Sequence, residues 1–159
     1  MSLDLMKESF LSSEIWLPKP PEEIFPFFGD AHNLETITPP WLQFEILTQE
    51  PIEMRPGTVI DYRISLHGIK LRWRTRIEVW EPPHRFIDLQ IKGPYRQWHH
   101  EHIFEPQDNG TLCRDRVRYA VLGGSLVDRL FVRRDVKKIF EFRRQKLLHV
   151  FGKNAHLQR

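Results

Sequence analysis

Apolar and polar residues alternate with a period of two through much of the chain, as they do in β-strands that bury one face. Turn-forming pairs such as His67-Gly68, Pro82-Pro83 and Gly93-Pro94 divide this region into segments. The pattern predicts seven strands. They are expected at about 8–17, 42–50, 57–67, 70–81, 85–92, 96–105 and 111–121. Consecutive strands joined by tight turns pair antiparallel, so we expect a single seven-stranded antiparallel sheet.

Two short stretches after the first strand and one long stretch at the end have helical patterns. Lys19-Pro-Pro-Glu-Glu23 is typical of a helix start, and Pro26 should kink or shorten that helix. Asp30 can cap a second short helix. After a candidate capping box at Ser125-Leu-Val-Asp128, apolar residues recur at helical spacing without proline or glycine until Gly152.

These elements predict an α+β fold in which the long C-terminal helix covers the apolar face of the sheet. The helix is expected to run without interruption for about 25 residues. A strongly curved sheet wrapped around one helix encloses more volume than the helix fills. We therefore expect an internal cavity.

The strand at 96–105 carries an unusual set of side chains on one face. This face holds two histidines between two large aromatic residues: Trp98, His100, His102 and Phe104. On the next strand, Arg114, Arg116 and Arg118 share one face, and three stacked arginines are expected to face water. Glu101 and Glu105 would then pair with them across the strands. This assignment turns the two histidines inward.

The turn between these two strands brings Asp115 near His102. If the turn is centred on Asp108-Asn109, His102 lies directly opposite Asp115; if it is centred on Asn109-Gly110, Asp115 is a diagonal neighbour. A buried carboxylate needs such a partner. We expect the pair to hold the imidazole in one tautomer and to favour its protonated form.

Composition limits the classes of protein that need to be considered. The 159 residues, 40% of them hydrophobic, fit one domain over residues 1–159 with a core at about 10–151. The net charge of +3 does not indicate a nucleic-acid partner, and Cys113 is the only cysteine, so no intramolecular disulfide can form. We expect no signal peptide, because charged residues from Asp4 to Glu14 interrupt the first segment, and the sequence contains no apolar run of about 20 residues. These features predict a soluble cytoplasmic protein, monomeric or dimeric, that binds neither nucleic acid nor a membrane.

Six segments spread along the chain resemble those of one known superfamily. The segments are Trp16–Phe25, Asn33–Leu42, Gly57–Tyr62, Arg72–Thr75, Gly93–Arg96 and Val132–Arg134. They are similar to those of the ligand-binding SRPBCC proteins, the superfamily of START domains, birch-pollen allergens and polyketide cyclases. The resemblance covers roughly residues 10–150. It implies a helix-grip fold with a deep pocket between the sheet and the C-terminal helix, but it implies no particular reaction.

The preferred function is the binding of a small hydrophobic or amphipathic molecule in this pocket. The expected ligand-binding residues are Tyr62, Trp73, Trp98, His100, His102, Phe104, Asp115 and Tyr119. One alternative is a cyclase, dehydratase or hydrolase in which His102, Asp115 and His100 act as acid and base. A second alternative is a co-chaperone-like interaction module that uses the outer arginines. The spacing of His100 and His102 also suits two metal ligands, but a bare pair is a weak signal, and neither a metal nor a cofactor is predicted.

Overall fold

The computed structural model describes residues 7–152 and has the predicted helix-grip architecture. Seven antiparallel strands form one sheet in the order β1-β7-β6-β5-β4-β3-β2. The strands are β1 (Ser9–Leu17), β2 (Glu45–Ile46), β3 (Val59–Leu66), β4 (Ile69–Glu81), β5 (Arg85–Lys92), β6 (Gln97–Gln107) and β7 (Gly110–Ala120). The first strand therefore pairs with the last, and β2 lies at the opposite edge.

The helices lie on the concave side of this sheet. They are α1 (Pro21–Gly29), α2 (Ala31–Thr36), α3 (Gly124–Val127) and α4 (Arg133–Phe151). Asp30 caps α2 as predicted, since its carboxylate accepts a hydrogen bond of 2.9 Å from the backbone N–H of His32. The helix α1 continues past Pro26 to Gly29. Two core clusters join the sheet to the helices, one around Phe25 and Leu147 and one around Val117 and Val136.

The β6–β7 hairpin has the first of the two predicted registers. His102 is opposite Asp115, and the turn residues Asp108 and Asn109 have φ angles of 48° and 59°, as a tight hairpin turn requires. The next residue must be glycine. A Cβ at Gly110 would lie 2.4 Å from the carbonyl oxygen of Leu17. The turn thus fixes which β6 side chains face which β7 side chains.

The prediction of an inward histidine face and an outward arginine face is confirmed. His100 and His102 are buried, whereas Arg116 and Arg118 are exposed. On the outer face Arg114 forms ion pairs with Glu14 and Glu105. The pairing of β4 with β5 shifts register twice, between Arg74 and Thr75 and between Ile77 and Val79. Such irregularities bend a sheet, which here curves around α4.

Three predictions about local structure are wrong. The strand expected at 42–50 is reduced to Glu45–Ile46, because Pro40–Leu42 form a 3-10 turn that ends at Gln43 with a φ of 45°. The capping box at Ser125 does not form, since Gly123 is the N-cap and no side chain caps the helix. The C-terminal helix is interrupted by a π-helical turn at Asp128–Val132. Asp128 is buried in this turn, where it accepts a hydrogen bond from Ser9.

Within residues 7–152, no helix is long and apolar enough to cross a membrane.

Candidate functional site

A cavity of about 180 Å³ lies between the curved sheet and α4. Most of its lining is apolar and comes from the first helices, the central strands and α4. Representative lining residues are Phe28, Ile37, Ile60, Ile77, Val136 and Phe140. Asp88, His100, His102 and Arg143 also line it and make one part of the wall polar. The sheet and α4 thus enclose an apolar space with one ionisable patch.

Another part of the cavity wall is a cluster of aromatic side chains, and the Thr75 hydroxyl forms hydrogen bonds with two of them, Tyr62 and Trp73. Tyr62 and Trp73 stack with their ring centres 6.0 Å apart, and Trp98 meets Trp73 edge-on at 5.4 Å. The Trp73 indole N–H donates a hydrogen bond of 3.1 Å to the Thr75 hydroxyl, which lies 2.7 Å from the Tyr62 hydroxyl. Burial raises the pKa of Tyr62, so this phenol stays neutral. The polar side-chain atoms of Tyr62, Trp73 and Thr75 are therefore paired with one another.

The polar patch is a pair of stacked imidazoles between two carboxylates. The rings of His100 and His102 lie with their centres 3.7 Å apart. His100 Nε2 donates to Asp115 Oδ1 at 2.7 Å, and His102 Nε2 donates to Asp88 Oδ2 at 2.8 Å. Phe86 stacks on the other face of His102 at 3.9 Å. Both imidazoles are therefore fixed in position by packing and by a carboxylate.

Arg143 brings a positive charge from α4 to this patch. Its Nη2 donates to His102 Nδ1 at 3.3 Å and lies 3.7 Å from Asp115 Oδ1. Since His102 Nδ1 accepts from Arg143, the proton of this imidazole lies on Nε2. The guanidinium is also 5.5 Å from the centre of the Phe28 ring. Arg143 is 8% exposed, and its Nε has no hydrogen-bond partner among residues 7–152.

Burial and neighbouring charges set the protonation states here. Burial lowers the pKa of His100 to about 4, and the adjacent His102 adds to this effect, although the Asp115 carboxylate opposes it. Burial by itself raises the pKa of Asp115, but the charge of Arg143 and the hydrogen bond from His100 outweigh it and hold that pKa well below its usual range. Burial by itself also raises the pKa of Asp88. The hydrogen bond from His102 is the largest effect in the other direction, and the net result is a lowered pKa. At neutral pH the patch contains two carboxylates, a guanidinium and a neutral His100.

The eight residues predicted to bind the ligand do not all reach the cavity. Five of them line it: Tyr62, Trp73, Trp98, His100 and His102. Phe104 is instead packed against Phe25 and Phe28 in the core, and Tyr119 belongs to the second core cluster with Val117. Asp115 lies behind the histidines and makes its shorter bond to His100, whereas the sequence paired it with His102.

Two residues of the patch, Asp88 and Arg143, were not predicted from the sequence. Asp88 faces inward because it is directly opposite His100 in the β5–β6 pairing; its alternation with Phe86 was a signal for this position. Arg143 lies among the basic residues of the last helix, but it is buried. It follows Val136 and Phe140 at helical spacing, so an arginine within the apolar stripe was the available signal.

The matching family model is that of polyketide cyclase/dehydrase and lipid transport proteins, and it covers residues 17–145. The chain belongs to this family. The predicted resemblance to the SRPBCC proteins is thereby confirmed. A search of curated proteins gave no match.

Solved structures of other proteins with the same fold include an aromatase/cyclase, Ara h 8.0201 and a major latex-like protein. The Zhui aromatase/cyclase from Streptomyces sp. R1128 is 13% identical, covers 94% of this chain and 97% of its own, and has a TM-score of 0.72. Ara h 8.0201 is 18% identical, with coverages of 93% and 100% and a TM-score of 0.66. The ginseng major latex-like protein 151 from Panax ginseng is 12% identical, with coverages of 91% and 97% and a TM-score of 0.67. At these identities the likeness concerns the fold.

Proposed function

We propose that this protein binds a small, largely hydrophobic molecule that carries one hydrogen-bond acceptor oxygen. The apolar wall would hold the body of the ligand, and the patch of Asp88, His100, His102 and Arg143 would hold its polar group. The observation that carries this proposal is Arg143, a buried cation that lines the cavity and whose Nε has no hydrogen-bond partner in the part of the chain that the structure describes.

An unpaired buried donor favours a ligand that can accept a hydrogen bond. Leaving such a donor unsatisfied costs about 1–3 kcal/mol, which a carbonyl or ether oxygen of a ligand would recover. With His100 neutral, the carboxylates of Asp88 and Asp115 and the guanidinium of Arg143 together carry one net negative charge. This charge disfavours a ligand carboxylate. A neutral acceptor is therefore the better match for the site.

The volume of the cavity limits the size of the ligand. The cavity of about 180 Å³ is somewhat larger than an apolar cavity of about 150 Å³ that holds benzene. A ligand with one ring or with two fused rings has the appropriate size for this cavity. Tyr62, Trp73 and Trp98 offer ring faces and edges to such a ligand.

Binding is a better explanation of the patch than acid–base catalysis by His100. A general base works best when its pKa lies near the working pH. Burial lowers the pKa of His100 to about 4, which makes this imidazole a weak base at neutral pH. A protein-interaction role for the outer face is also less favoured, because Arg114 is already paired with Glu14 and Glu105.

We propose a cytoplasmic location, and the absence of any possible intramolecular disulfide, with Cys113 as the single cysteine, is compatible with such a reducing compartment. Burial raises the pKa of Cys113 to about 12, so the thiol is not a reactive group at neutral pH.

The test compares two ligands of the same shape, 2-acetylnaphthalene and 2-ethylnaphthalene, which differ in one acceptor oxygen. Binding is followed through quenching of the tryptophan fluorescence of the protein, to which Trp73 and Trp98 of the cavity wall contribute. The ketone should bind about tenfold or more tightly, since a hydrogen bond from a charged donor contributes about 1.5–3 kcal/mol. Native mass spectrometry of freshly purified protein would identify a co-purified ligand.

The matched variants are Arg143→Met and Arg144→Met, which remove adjacent charges on α4. Arg143 is buried, whereas Arg144 is exposed. The first change should abolish the preference for the ketone and leave 2-ethylnaphthalene binding, while the second should alter neither. Equal affinity of the wild-type protein for both compounds, or failure of both to bind, contradicts the proposal.

A further inference from the structure

Asp88, His100 and His102 direct three potential metal-ligand atoms to one place on the cavity wall. His102 Nε2 lies 2.8 Å and His100 Nδ1 lies 3.8 Å from Asp88 Oδ2. All three ligand atoms lie within 4.8 Å of one another. Zinc-like ions have bond lengths of about 2.0–2.2 Å to such atoms, which places tetrahedral ligands about 3.4 Å apart. The distances from Asp88 Oδ2 to His102 Nε2 and His100 Nδ1, 2.8 and 3.8 Å, lie on either side of that value.

The opposite edges of both rings face a second carboxylate. His100 Nε2 lies 2.7 Å and His102 Nδ1 lies 3.2 Å from the same atom, Asp115 Oδ1. Histidines that bind metals usually donate their other ring N–H to a carboxylate, which orients the ring and increases its basicity. Asp115 is in the position of such an outer partner for both imidazoles at once.

From this geometry we propose that Asp88, His100 and His102 bind a divalent first-row transition-metal ion, with Asp115 as the positioning carboxylate. Two imidazoles and one carboxylate form a donor set that suits Zn²⁺ or Fe²⁺ and leaves coordination positions open. Because all three residues line the cavity, these positions face the space in which the proposed ligand would lie. A ligand oxygen can occupy one of them.

Binding requires one change in the hydrogen bonds of His102. Its proton moves from Nε2, which donates to Asp88 in the metal-free form, to Nδ1, which then donates to Asp115. Arg143 gives up its bond to Nδ1 and keeps Asp115 as its partner, 3.7 Å from Nη2. His100 needs no change, because its Nε2 already donates to Asp115. The two carboxylates outweigh the charge of Arg143, so the patch attracts a cation.

The test is a titration of chelator-treated protein, returned to chelator-free buffer, with Co²⁺ as the probe. We expect one Co²⁺ per chain and visible d–d absorption bands of a low-symmetry site. The electron paramagnetic resonance spectrum of the Cu²⁺ form should show coupling to two nitrogens. Asp88→Asn should remove the bands, and Asp115→Asn should weaken affinity about 10–100-fold. Circular dichroism verifies that each variant is folded.

The control variant is His149→Gln, which changes an exposed histidine and should bind Co²⁺ like the wild-type protein. A second control is His67→Gln, which removes the exposed pair with Asp135. Absence of the bands in wild-type protein overturns the proposal, and so does their survival in folded Asp88→Asn. Ligand binding is measured separately with the two naphthalenes in the presence of EDTA. Failure of the metal site is therefore distinguishable from failure of the proposed function.

Discussion

Protonation of His100 should make the stability of the protein fall in mildly acidic solution. The ordinary pKa of histidine is 6.5, and burial lowers that of His100 to about 4. As the pH falls below about 6.5, the unfolded chain takes up this proton before the folded one does. The contribution of His100 is therefore complete above that pH and is lost progressively down to about pH 4.

The magnitude follows from the two pKa values. Between about pH 7.5 and about pH 5 the free energy of unfolding should fall by about 2 kcal/mol, and by about 3 kcal/mol when the loss is complete. Asp88 and Asp115 also have lowered pKa values, but their contributions are lost only below their ordinary value of 3.8. The two effects therefore occupy different pH ranges.

The assay is urea unfolding at the two pH values with EDTA present. The wild-type midpoint should fall by about 1 M urea at the lower pH. His100→Gln keeps a side-chain N–H for Asp115 but cannot titrate, so it should lose most of this pH dependence. His149→Gln, which changes an exposed histidine, should behave like the wild-type protein. If His100→Gln and the wild-type protein lose equal stability between the two pH values, protonation of His100 is not the cause of the pH dependence.

Two further substitutions test the cavity wall and the hairpin. Thr75→Val removes the hydroxyl that pairs with Trp73 and Tyr62, and it should destabilise the protein by about 1–3 kcal/mol in urea unfolding; a loss below about 0.5 kcal/mol would mean that these rings do not depend on it. Gly110→Ala places a Cβ 2.4 Å from the Leu17 carbonyl oxygen and should lower stability by about 1–3 kcal/mol. Gly152→Ala serves as its control, because an added Cβ there meets no tertiary neighbour within 4 Å among the described residues; equal midpoints for the two variants would refute the steric explanation.

Local patterns predicted the faces of neighbouring strands and left two possible registers for the β6–β7 hairpin. Side chains alternate strictly along a strand, so the arginines on β7 were enough to turn His100 and His102 inward. The turn residues Asp108 and Asn109 set the register that places His102 opposite Asp115. These features depend on residues close together in the sequence, where the chain offers few alternatives.

Patterns failed where distant residues changed the local conformation. The apolar spacing of the last helix continues through Asp128–Val132, but a π-helical turn forms there, and Asp128 contacts Ser9 from the other end of the chain. The strand expected at 42–50 fails for a local reason instead, because the 3-10 turn at Pro40–Leu42 precedes it and only Glu45–Ile46 form a strand. The contact between Ser9 and Asp128 has no signal in the sequence around either residue.

The sequence alone determined the helix-grip class, the inward histidine face and the approach of Asp115. Only the tertiary structure decided which carboxylate each imidazole binds, and that Arg143 reaches them from α4. The physical reason is that hairpin geometry is a property of adjacent strands, whereas this patch joins β5, β6, β7 and α4. Its charges come together only when sheet curvature brings α4 across the strands, a relation that no local pattern encodes.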